Sequence, residues 1–383
     1  MILLSEKIKK FLLVTKSSGI DNTFIICVTT LSLIGFIMVT STTLDLRENN
    51  AFYFIIKHSI FLAMGITIAF LLAHIKLDFY YKYSQVILLF ALILSLLVFI
   101  PGLGIEVKGA KRWINLGLFT VQVSEISRLL ILIWVSSYIV RKPDDNTFNK
   151  PLAAIVLLAL IILLQKDFGS AFLLVASFLG LSLVAGISIK KFAGWTLAVV
   201  IAIIPIIYFQ PYRFKRILSF LDPWADPSGG GFQVIASSLA FSKGGLFGLG
   251  LGSSIQKLHY LPESYNDFVF AVIAEELGLF FTIFVMATFI LLISRIFKLA
   301  KKSTNNDLIF ASYLTYSIGF LISIQTLIHM LVNTGLFPTK GMGLPFISYG
   351  GTNILVMFIC IGILIRIQIE NRRKISQAYQ KEF

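Results

Sequence analysis

The sequence predicts an all-α integral membrane protein of about ten transmembrane helices, with one large extracytoplasmic loop between spans seven and eight. Of its 383 residues, 57% are hydrophobic and 14% are charged, and the mean hydropathy is +0.87. A soluble protein of this length needs far more polar surface. Apolar runs of about 20 residues, enough to cross a bilayer as a helix, recur along the whole chain. The basic residues cluster in the short segments between these runs, as in polytopic membrane proteins.

The even number of spans places both termini on one side of the membrane, and the basic residues indicate which side. Of the 33 Lys and Arg residues, 20 lie in segments on the terminal side and 11 on the other. Both termini are therefore predicted to be cytoplasmic. The chain is predicted as one polytopic domain, 1–383, with cytoplasmic tails at 1–20 and 366–383 and an extracytoplasmic loop at 210–266. The predicted spans are 23–43, 54–75, 83–100, 124–140, 151–164, 168–187, 192–209, 268–293, 308–336 and 347–365.

Several classes of protein are excluded by composition. The net charge of +14 does not indicate nucleic-acid binding, because the cations are spread over short loops and not over one soluble face. Cys27 and Cys360 both lie in apolar runs, so neither a disulfide framework nor a zinc site is predicted. The first 20 residues are too basic and too interrupted for a cleaved signal peptide, so the first span is predicted to be an uncleaved anchor.

The segment entering the fourth span carries the first polar residues of interest. The stretch Lys108–Trp113 offers three cations and a Trp, a set suited to pyrophosphate and sugar or, alternatively, to an interfacial belt. Glu125 and Arg128 share a helix face and can pair. They either neutralise each other at the interface or, with Gln122, line a cavity.

The fifth predicted span is short. Residues 151–164 rise only about 21 Å as a helix, less than the hydrocarbon core of about 30 Å. The chain then runs through Gln165-Lys166-Asp167 directly into the next apolar run. We expect a tight helical hairpin that holds Asp167 in a protein-lined cavity.

The long loop 210–266 combines a basic start, a turn cluster from Asp222 to Pro227 and a mildly amphipathic stretch from Phe232 to Phe241. Its aromatic and aliphatic content favours a packed or re-entrant element at the membrane interface. The glycine-rich run 244–252 has no preceding strand and no Walker lysine. A flexible loop or close helix packing is therefore favoured over a nucleotide loop.

The segment 261–276 brings an acid to the mouth of an apolar helix. Pro262 prevents the helix from starting earlier, so it is predicted to begin near Asn266 or Asp267. Asp267 is then either a helix cap or a functional acid. Glu275 and Glu276 follow about two turns deeper, and at least one of them must meet a cation or water.

The stretch Phe337–Asn353 contains two prolines and five glycines, which exclude a regular helix. Irregular backbone at membrane depth is tolerated where it lines a cavity, and Lys340 adds a cation there. His329, alone on the preceding apolar helix, is expected to be hydrogen-bonded and packed and not to bind a metal.

Together these motifs resemble the SEDS family (shape, elongation, division and sporulation) of bacterial cell-wall glycan polymerases, and its division branch more than its elongation branch. The resemblance rests on GAKRW, QVSE, QKDFGSA, the DPW and DP turns, LPESYNDF and PTKGMGLPFISYGG, in order along most of the chain. Tyr265-Asn266 stand where the family has His-Thr.

The resemblance implies a peptidoglycan glycosyltransferase that polymerises lipid II into β-1,4-linked glycan strands at the division septum and releases undecaprenyl pyrophosphate. It assigns Asp267 as the catalytic residue and general base. The predicted substrate-binding residues are Lys111, Arg112, Trp113, Gln122, Glu125, Arg128, Asp167, Lys243, Gln256, Lys257, Glu263, Glu276, Lys340 and Ser348. A lipid II flippase and a structural scaffold for a division complex are the alternatives.

The resemblance also implies surroundings for such an enzyme. It places the chain in the bacterial inner membrane, with lipid II, the growing glycan strand and membrane lipids as molecular partners. A class B penicillin-binding protein, a transpeptidase, and other divisome proteins are the implied protein partners. Acids near a pyrophosphate are compatible with loosely held Mg²⁺ or Mn²⁺, and no nucleic acid is expected.

Overall fold

The computed structural model describes residues 20–44, 52–107, 109–117, 119–142 and 147–381. Most of the predicted tail 1–20, and Lys108, lie outside these residues. The helices, in chain order, are α1 Asn22–Thr43, α2 Tyr53–His74, α3 Leu77–Lys82, α4 Ser84–Leu97, α5 Val123–Arg141, α6 Asn149–Leu164, α7 Phe168–Val184, α8 Ile189–Tyr208, α9 Pro211–Leu221, α10 Phe232–Gly244, α11 Val269–Asn305, α12 Ile309–Asn333 and α13 Gly351–Lys381.

The predicted spans are confirmed among these helices. Seven are long and apolar enough to cross a membrane, and α4, α6 and α7 are shorter apolar helices of 14, 16 and 17 residues. Together they account for the ten spans expected from the sequence. Residues 366–381 of the predicted C-terminal tail continue α13, which is helical to Lys381.

A small sheet adds to the expected all-α architecture. Strands β1 Gly104–Val107, β2 Ala110–Asn115 and β3 Thr120–Gln122 form an antiparallel sheet in the order β1-β2-β3. Trp113 pairs with Gln122 and Ile114 with Val121. Glycines with positive φ at 109 and 117 allow the chain to reverse between strands. The sheet therefore carries the GAKRW motif on β2, where the sequence predicted only a loop.

The segments predicted to be extracytoplasmic meet at one end of the bundle, called here the outer end. Arg112 on β2 donates to the carbonyl of Lys166 in the α6–α7 hairpin at 2.5 Å. The backbone N–H of Gln122 donates to Thr352 at 2.9 Å, and Arg216 on α9 donates to the carbonyl of Thr339 at 2.7 Å. The positive-inside topology and these contacts agree on which segments share a side.

The core lies around α5 and α13, which are the most buried of the long spans, whereas α8 buries none of its residues. Fully buried side chains such as Phe178, Phe268 and Phe289 fill the space between the helices. In a membrane, an exposed apolar helix such as α8 faces lipid at no cost. The outer end therefore stands on a packed central bundle with a lipid-exposed edge.

The loop between α10 and α11 re-enters the bundle. Residues 245–250 lie beside 275–280, with hydrogen bonds from Leu249 N–H to the Glu275 carbonyl (3.0 Å) and from Leu279 N–H to the Gly245 carbonyl (3.0 Å). At this level α11 is broken at Gly278, with φ 77° and ψ −177°. The broken helix and the loop satisfy each other's backbone groups, as a segment at membrane depth requires. Of the two interpretations of the glycine-rich run, close packing against a helix is the one found: a Cβ at Gly244 or Gly248 would collide with the backbone of Ala274 or Glu276.

Candidate functional site

Asp267 lies in a tight turn just before α11. The carbonyl of Glu263, a residue with φ 58°, accepts from the N–H groups of Asn266 (3.0 Å) and Asp267 (2.9 Å). Helix α11 begins at Val269, and its N-cap residue is Phe268. The predicted start near Asn266 or Asp267 was therefore wrong by two to three residues, because the turn closed by Glu263 takes up those backbone donors. Asp267 stands before the cap position.

The irregular loop 334–350 packs against this turn. Tyr349 N–H donates to the Tyr265 carbonyl at 2.9 Å, and the Ser348 hydroxyl donates to the Asn266 carbonyl at 2.6 Å. A Cβ added to Gly341 would lie 2.9 Å from Asp267 Oδ2. Only a glycine leaves room for the carboxylate here. The loop predicted to line a cavity thus forms one wall beside Asp267, and Ser348 ties the two loops together.

Asp167 is the second acid of the outer end. It is buried at the tip of the α6–α7 hairpin, as predicted, and caps α7 by accepting from Ser170 N–H at 3.1 Å. Its other oxygen accepts from the Ser124 hydroxyl at 2.9 Å and from the Gln122 amide at 3.1 Å. These bonds join the hairpin to the start of α5.

Four cations from three parts of the chain form one electrostatic network with these two acids. Arg112 comes from β2, Arg213 and Arg216 from α9, and Lys340 from the loop 334–350. Lys340 lies within electrostatic range of Asp167, Arg213 and Arg216, and Arg216 within range of Asp267. Helix α9 is amphipathic: its arginines turn inward, while Tyr212, Leu218 and Leu221 are exposed.

Lys340 is an unusual cation. Its ammonium lies 4.0 Å from the ring centroid of Phe168 and 4.8 Å from that of Phe172. Its Nζ has no hydrogen-bond acceptor among the described residues. Burial lowers the pKa of Lys340 to about 7, although Asp167 opposes the shift. The ammonium is therefore stabilised by the aromatic ring faces, and it gains or loses its proton near neutral pH.

Burial also acts on the neighbours of Asp267. It lowers the pKa of Arg216 from its usual value, but a guanidinium stays charged at neutral pH. The pKa of Tyr265 is raised by burial and by the Glu263 carboxylate, which accepts its hydrogen bond. Tyr265 is therefore a neutral hydrogen-bonded phenol, and Glu263 braces this turn.

Glu125 and Arg128 are buried on α5 beneath Asp167. The amide of Asn353 on α13 donates to Glu125 at 3.2 Å. Arg128 lies within electrostatic range of both Glu125 and Asp167. Two of its nitrogens, Nε and Nη1, have no hydrogen-bond partner among the described residues. Glu125 and Arg128 are therefore close in space and near Asp167, and the choice between mutual neutralisation and cavity lining stays a prediction.

Gln256, Lys257 and Glu276 belong to a different cluster, at the re-entrant loop. Lys257 Nζ lies 2.9 Å from Glu276, and Ser41 on α1 donates to the same carboxylate at 2.7 Å. Glu275 accepts from the backbone N–H of Gln256 at 3.3 Å. All five of these residues are buried. The structure therefore does not bring these residues together with Asp267.

The remaining predicted residues lie at the margin. Lys111 and Lys243 are exposed, and Trp113 is half-buried in β2 beside Arg112. The sequence prediction missed Arg213 and Arg216, although the basic start of the 210–266 loop was the signal for them. Within the described residues, no group of three or more His, Cys, Asp or Glu side chains lies close enough to hold a metal ion. Loose Mg²⁺ or Mn²⁺ binding stays a prediction.

Comparison with known proteins gives one consistent result. The family model FTSW_RODA_SPOVE, described as cell cycle protein, matches residues 21–373. A protein of Coxiella burnetii named probable peptidoglycan glycosyltransferase FtsW is 37% identical over 364 residues, covering 93% of this chain and 98% of the relative. The protein of the same name from Legionella pneumophila is 38% identical over 350 residues, covering 89% of each chain.

Two solved structures share the fold. One, described as "Structural coordination of polymerization and crosslinking by a peptidoglycan synthase complex", matches with a TM-score of 0.73 at 23% identity, covering 92% of this chain and 98% of that one. The other, the crystal structure of the Thermus thermophilus rod shape determining protein RodA, has a TM-score of 0.67 at 20% identity, covering 92% and 97%. The arrangement of spans around the outer end is thus a known fold.

Proposed function

Because this chain belongs to the cell cycle protein family FTSW_RODA_SPOVE, we propose that it polymerises lipid II with Asp267 as the general base. The chain is a multi-pass bacterial membrane protein and a peptidoglycan glycosyltransferase of the SEDS family, as its FtsW relatives are named. The observation that carries the proposed site is the convergence of Asp267 with Arg112, Arg213, Arg216 and Lys340 at the outer end.

The proposed reaction needs one base and several cations. The 4-hydroxyl of the incoming lipid II attacks the anomeric carbon of the growing lipid-linked strand, and a new C–O bond forms. Asp267 takes the hydroxyl proton, since a sugar hydroxyl is a weak acid that needs a positioned base. The bond from the anomeric carbon to the diphosphate breaks, and undecaprenyl pyrophosphate leaves with the electron pair.

The four cations would compensate the charge that develops on the leaving diphosphate. Arginines suit this role because their planar forks bind phosphate oxygens in pairs. Arg216 already donates one N–H to the backbone of Thr339, so its remaining donors are held in a fixed orientation. Lys340 adds a point charge near Arg213, Arg216 and Asp167. Glu125, Arg128 and Asp167 form an adjoining group of buried polar side chains.

The decisive experiment is polymerisation of purified lipid II by the reconstituted protein, compared with Asp267→Asn. The asparagine is isosteric and cannot accept the proton. Glycan product from the wild type and none from the variant supports the proposal. Undiminished product from Asp267→Asn would remove Asp267 from the mechanism. Adding a chelator in a parallel reaction tests the loosely held metal.

The lipid II flippase named as the alternative in the sequence analysis is tested in the same vesicles. A flippase needs polar groups along the whole depth of the membrane, whereas the charged groups near Asp267 gather at the outer end. Fluorescent lipid II crossing the vesicle membrane without any polymer would favour the transporter. Blank results in both assays would favour a scaffold.

We propose further that the enzyme works at the division septum with a class B penicillin-binding protein and other divisome proteins. The support is the similarity to relatives named FtsW and the fold match to a complex described by polymerization and crosslinking. Both termini are proposed to be cytoplasmic on the distribution of Lys and Arg. Co-purification with the transpeptidase, and polymerisation rates with and without it, test the partnership.

A further inference from the structure

Three polar side chains on α12 share one face and bond to groups outside their own helix. Gln325, His329 and Asn333 follow at four-residue spacing, which places them one above the other. All three are buried. Polar groups inside a membrane bundle are costly unless they are hydrogen-bonded. Their partners therefore show what this face of α12 is built to hold.

Asn333 holds the backbone on both sides of the start of α11. Its amide nitrogen donates to the carbonyl of Asp267 at 2.9 Å and to that of His329 at 2.9 Å. Its amide oxygen accepts from Ala271 N–H in the first turn of the helix at 3.0 Å, and the same N–H also lies 3.1 Å from the Phe268 carbonyl. Asn333 thus replaces the missing N-cap side chain and fixes the carbonyl of Asp267 itself.

His329 and Gln325 hold the opposite wall. His329 Nδ1 lies 2.7 Å from the carbonyl of Met342, and because a carbonyl only accepts, Nδ1 is the donor. Gln325 donates to the carbonyl of Gly343 at 2.9 Å. Both acceptors follow Gly341 directly, the residue whose missing Cβ makes room for the Asp267 carboxylate.

We propose that Asn333 is a positioning residue for Asp267, with His329 and Gln325 fixing the glycine wall beside the carboxylate. One helix face thereby sets both the backbone of the base and the surface against which its side chain lies. A base works only in a narrow range of geometries, so such a frame bears on the rate more than on substrate affinity. This inference rests on the proposed function, in which Asp267 accepts the proton.

The principal test is Asn333→Ala in the reconstituted protein. We expect kcat for lipid II polymerisation to fall about 100-fold, the scale of a 1 Å misplacement, with KM unchanged because the cations are untouched. The matched control is Asn371→Ala, at the far end of the bundle. Asn371 is also a buried amide, donating to Ser303 at 2.8 Å and to the Ile367 carbonyl at 2.9 Å. It should lose thermal stability but keep kcat per folded protein.

A second pair of variants guards against misfolding of Asn333→Ala. His329→Asn keeps a donor in the place of Nδ1, whereas His329→Leu removes it at similar volume. We expect His329→Asn to retain most of the wild-type kcat and His329→Leu to lose it. The difference in kcat between these two variants tests the hydrogen bond to the Met342 carbonyl, separately from side-chain packing at this buried position.

The outcomes separate the two proposals. Equal kcat values for Asn333→Ala and Asn371→Ala, or a rise in KM with kcat unchanged, would overturn the positioning role. So would equal kcat values for the two His329 variants. Full activity in Asp267→Asn would instead overturn the proposed function, whatever the Asn333 result. If activity is lost in Asp267→Asn but unchanged in Asn333→Ala, Asp267 keeps its proposed role as the base. Only the positioning role of Asn333 is then rejected.

Discussion

Acids lie before α11 and about two turns into it, and the protein surrounds them differently. Glu276 is fully buried and meets Lys257 at 2.9 Å and Ser41 at 2.7 Å, while Glu275 accepts from backbone N–H groups of the re-entrant loop. Asp267 lies at the outer end, half-buried beside Gly341, with Arg216 in electrostatic range.

On the proposed function, the difference separates acids that stabilise the fold from the acid that takes part in the reaction. A buried pair whose hydrogen bonds are all made inside the protein stabilises one arrangement of the chain and has nothing left for a ligand. On the proposed function, Asp267 lies among cations from separate segments, beside the glycine that leaves room for its carboxylate, and meets a substrate that arrives from outside. The sequence alone placed Asp267, Lys257 and Glu276 in one substrate site, and the contacts divide them.

The largest effect should come from the working acid. Asp267→Asn is expected to lower kcat by about 10²–10⁴-fold, the usual contribution of a general base, with little change in thermal unfolding. The substitution keeps the volume and the backbone turn closed by Glu263. Lipid II polymerisation measures the fall in kcat, and the unfolding midpoint of the same preparation measures the change in stability. A large fall in the unfolding midpoint would mean that Asp267 stabilises the fold, as Glu276 does.

The structural pair should show the reverse pattern. Glu276→Gln leaves Lys257 charged and buried without its carboxylate, which is expected to cost about 3–5 kcal/mol of stability. The double variant Lys257→Met with Glu276→Gln removes both charges and should recover much of that loss. Unfolding in detergent measures it. A stable Glu276→Gln protein with no polymerisation would restore Glu276 to the substrate site.

An intermediate effect is expected at the cations. Arg216→Ala should reduce kcat/KM by about 10- to 100-fold, since hydrogen bonds to a charged group contribute about 1.5–3 kcal/mol. The loss should appear mainly in KM if Arg216 binds a ground-state phosphate. It should appear in kcat if Arg216 meets only the charge that develops on the leaving group. Steady-state kinetics at several lipid II concentrations distinguish these cases.

Lys340 makes the same site sensitive to pH. Because burial lowers its pKa to about 7, the ammonium is present below pH 7 and lost above it. KM for lipid II should therefore rise above pH 7, by up to about tenfold per pH unit. Lys340→Arg keeps its charge and should flatten this dependence. An unchanged KM–pH profile in that variant would assign the titration to another group.

The sequence predicted those parts of the site whose signals are local. The hairpin at Asp167 follows from a span too short to cross the membrane, and the irregular loop at Lys340 follows from two prolines among glycines. The break of α11 at Gly278 has no local signal, because it depends on pairing with residues 245–250. The orientation of α9 likewise depends on tertiary packing. The sequence shows its arginines but does not indicate that they face the bundle.

The smallest effect should come from a matched position on that helix. Lys215 is one residue from Arg216 but points outward, where it pairs with Asp226 at 3.1 Å with both side chains exposed. Exposed pairs contribute little and are screened by salt, so Lys215→Ala should leave kcat, KM and the unfolding midpoint near wild-type values. Lys215→Ala and Arg216→Ala remove the same formal charge from α9. The difference between their kcat/KM values therefore reports the effect of facing the site, separately from the effect of net charge. A defect in Lys215→Ala as large as that in Arg216→Ala, and abolished by salt, would mean that α9 attracts the lipid-linked diphosphate by net charge alone.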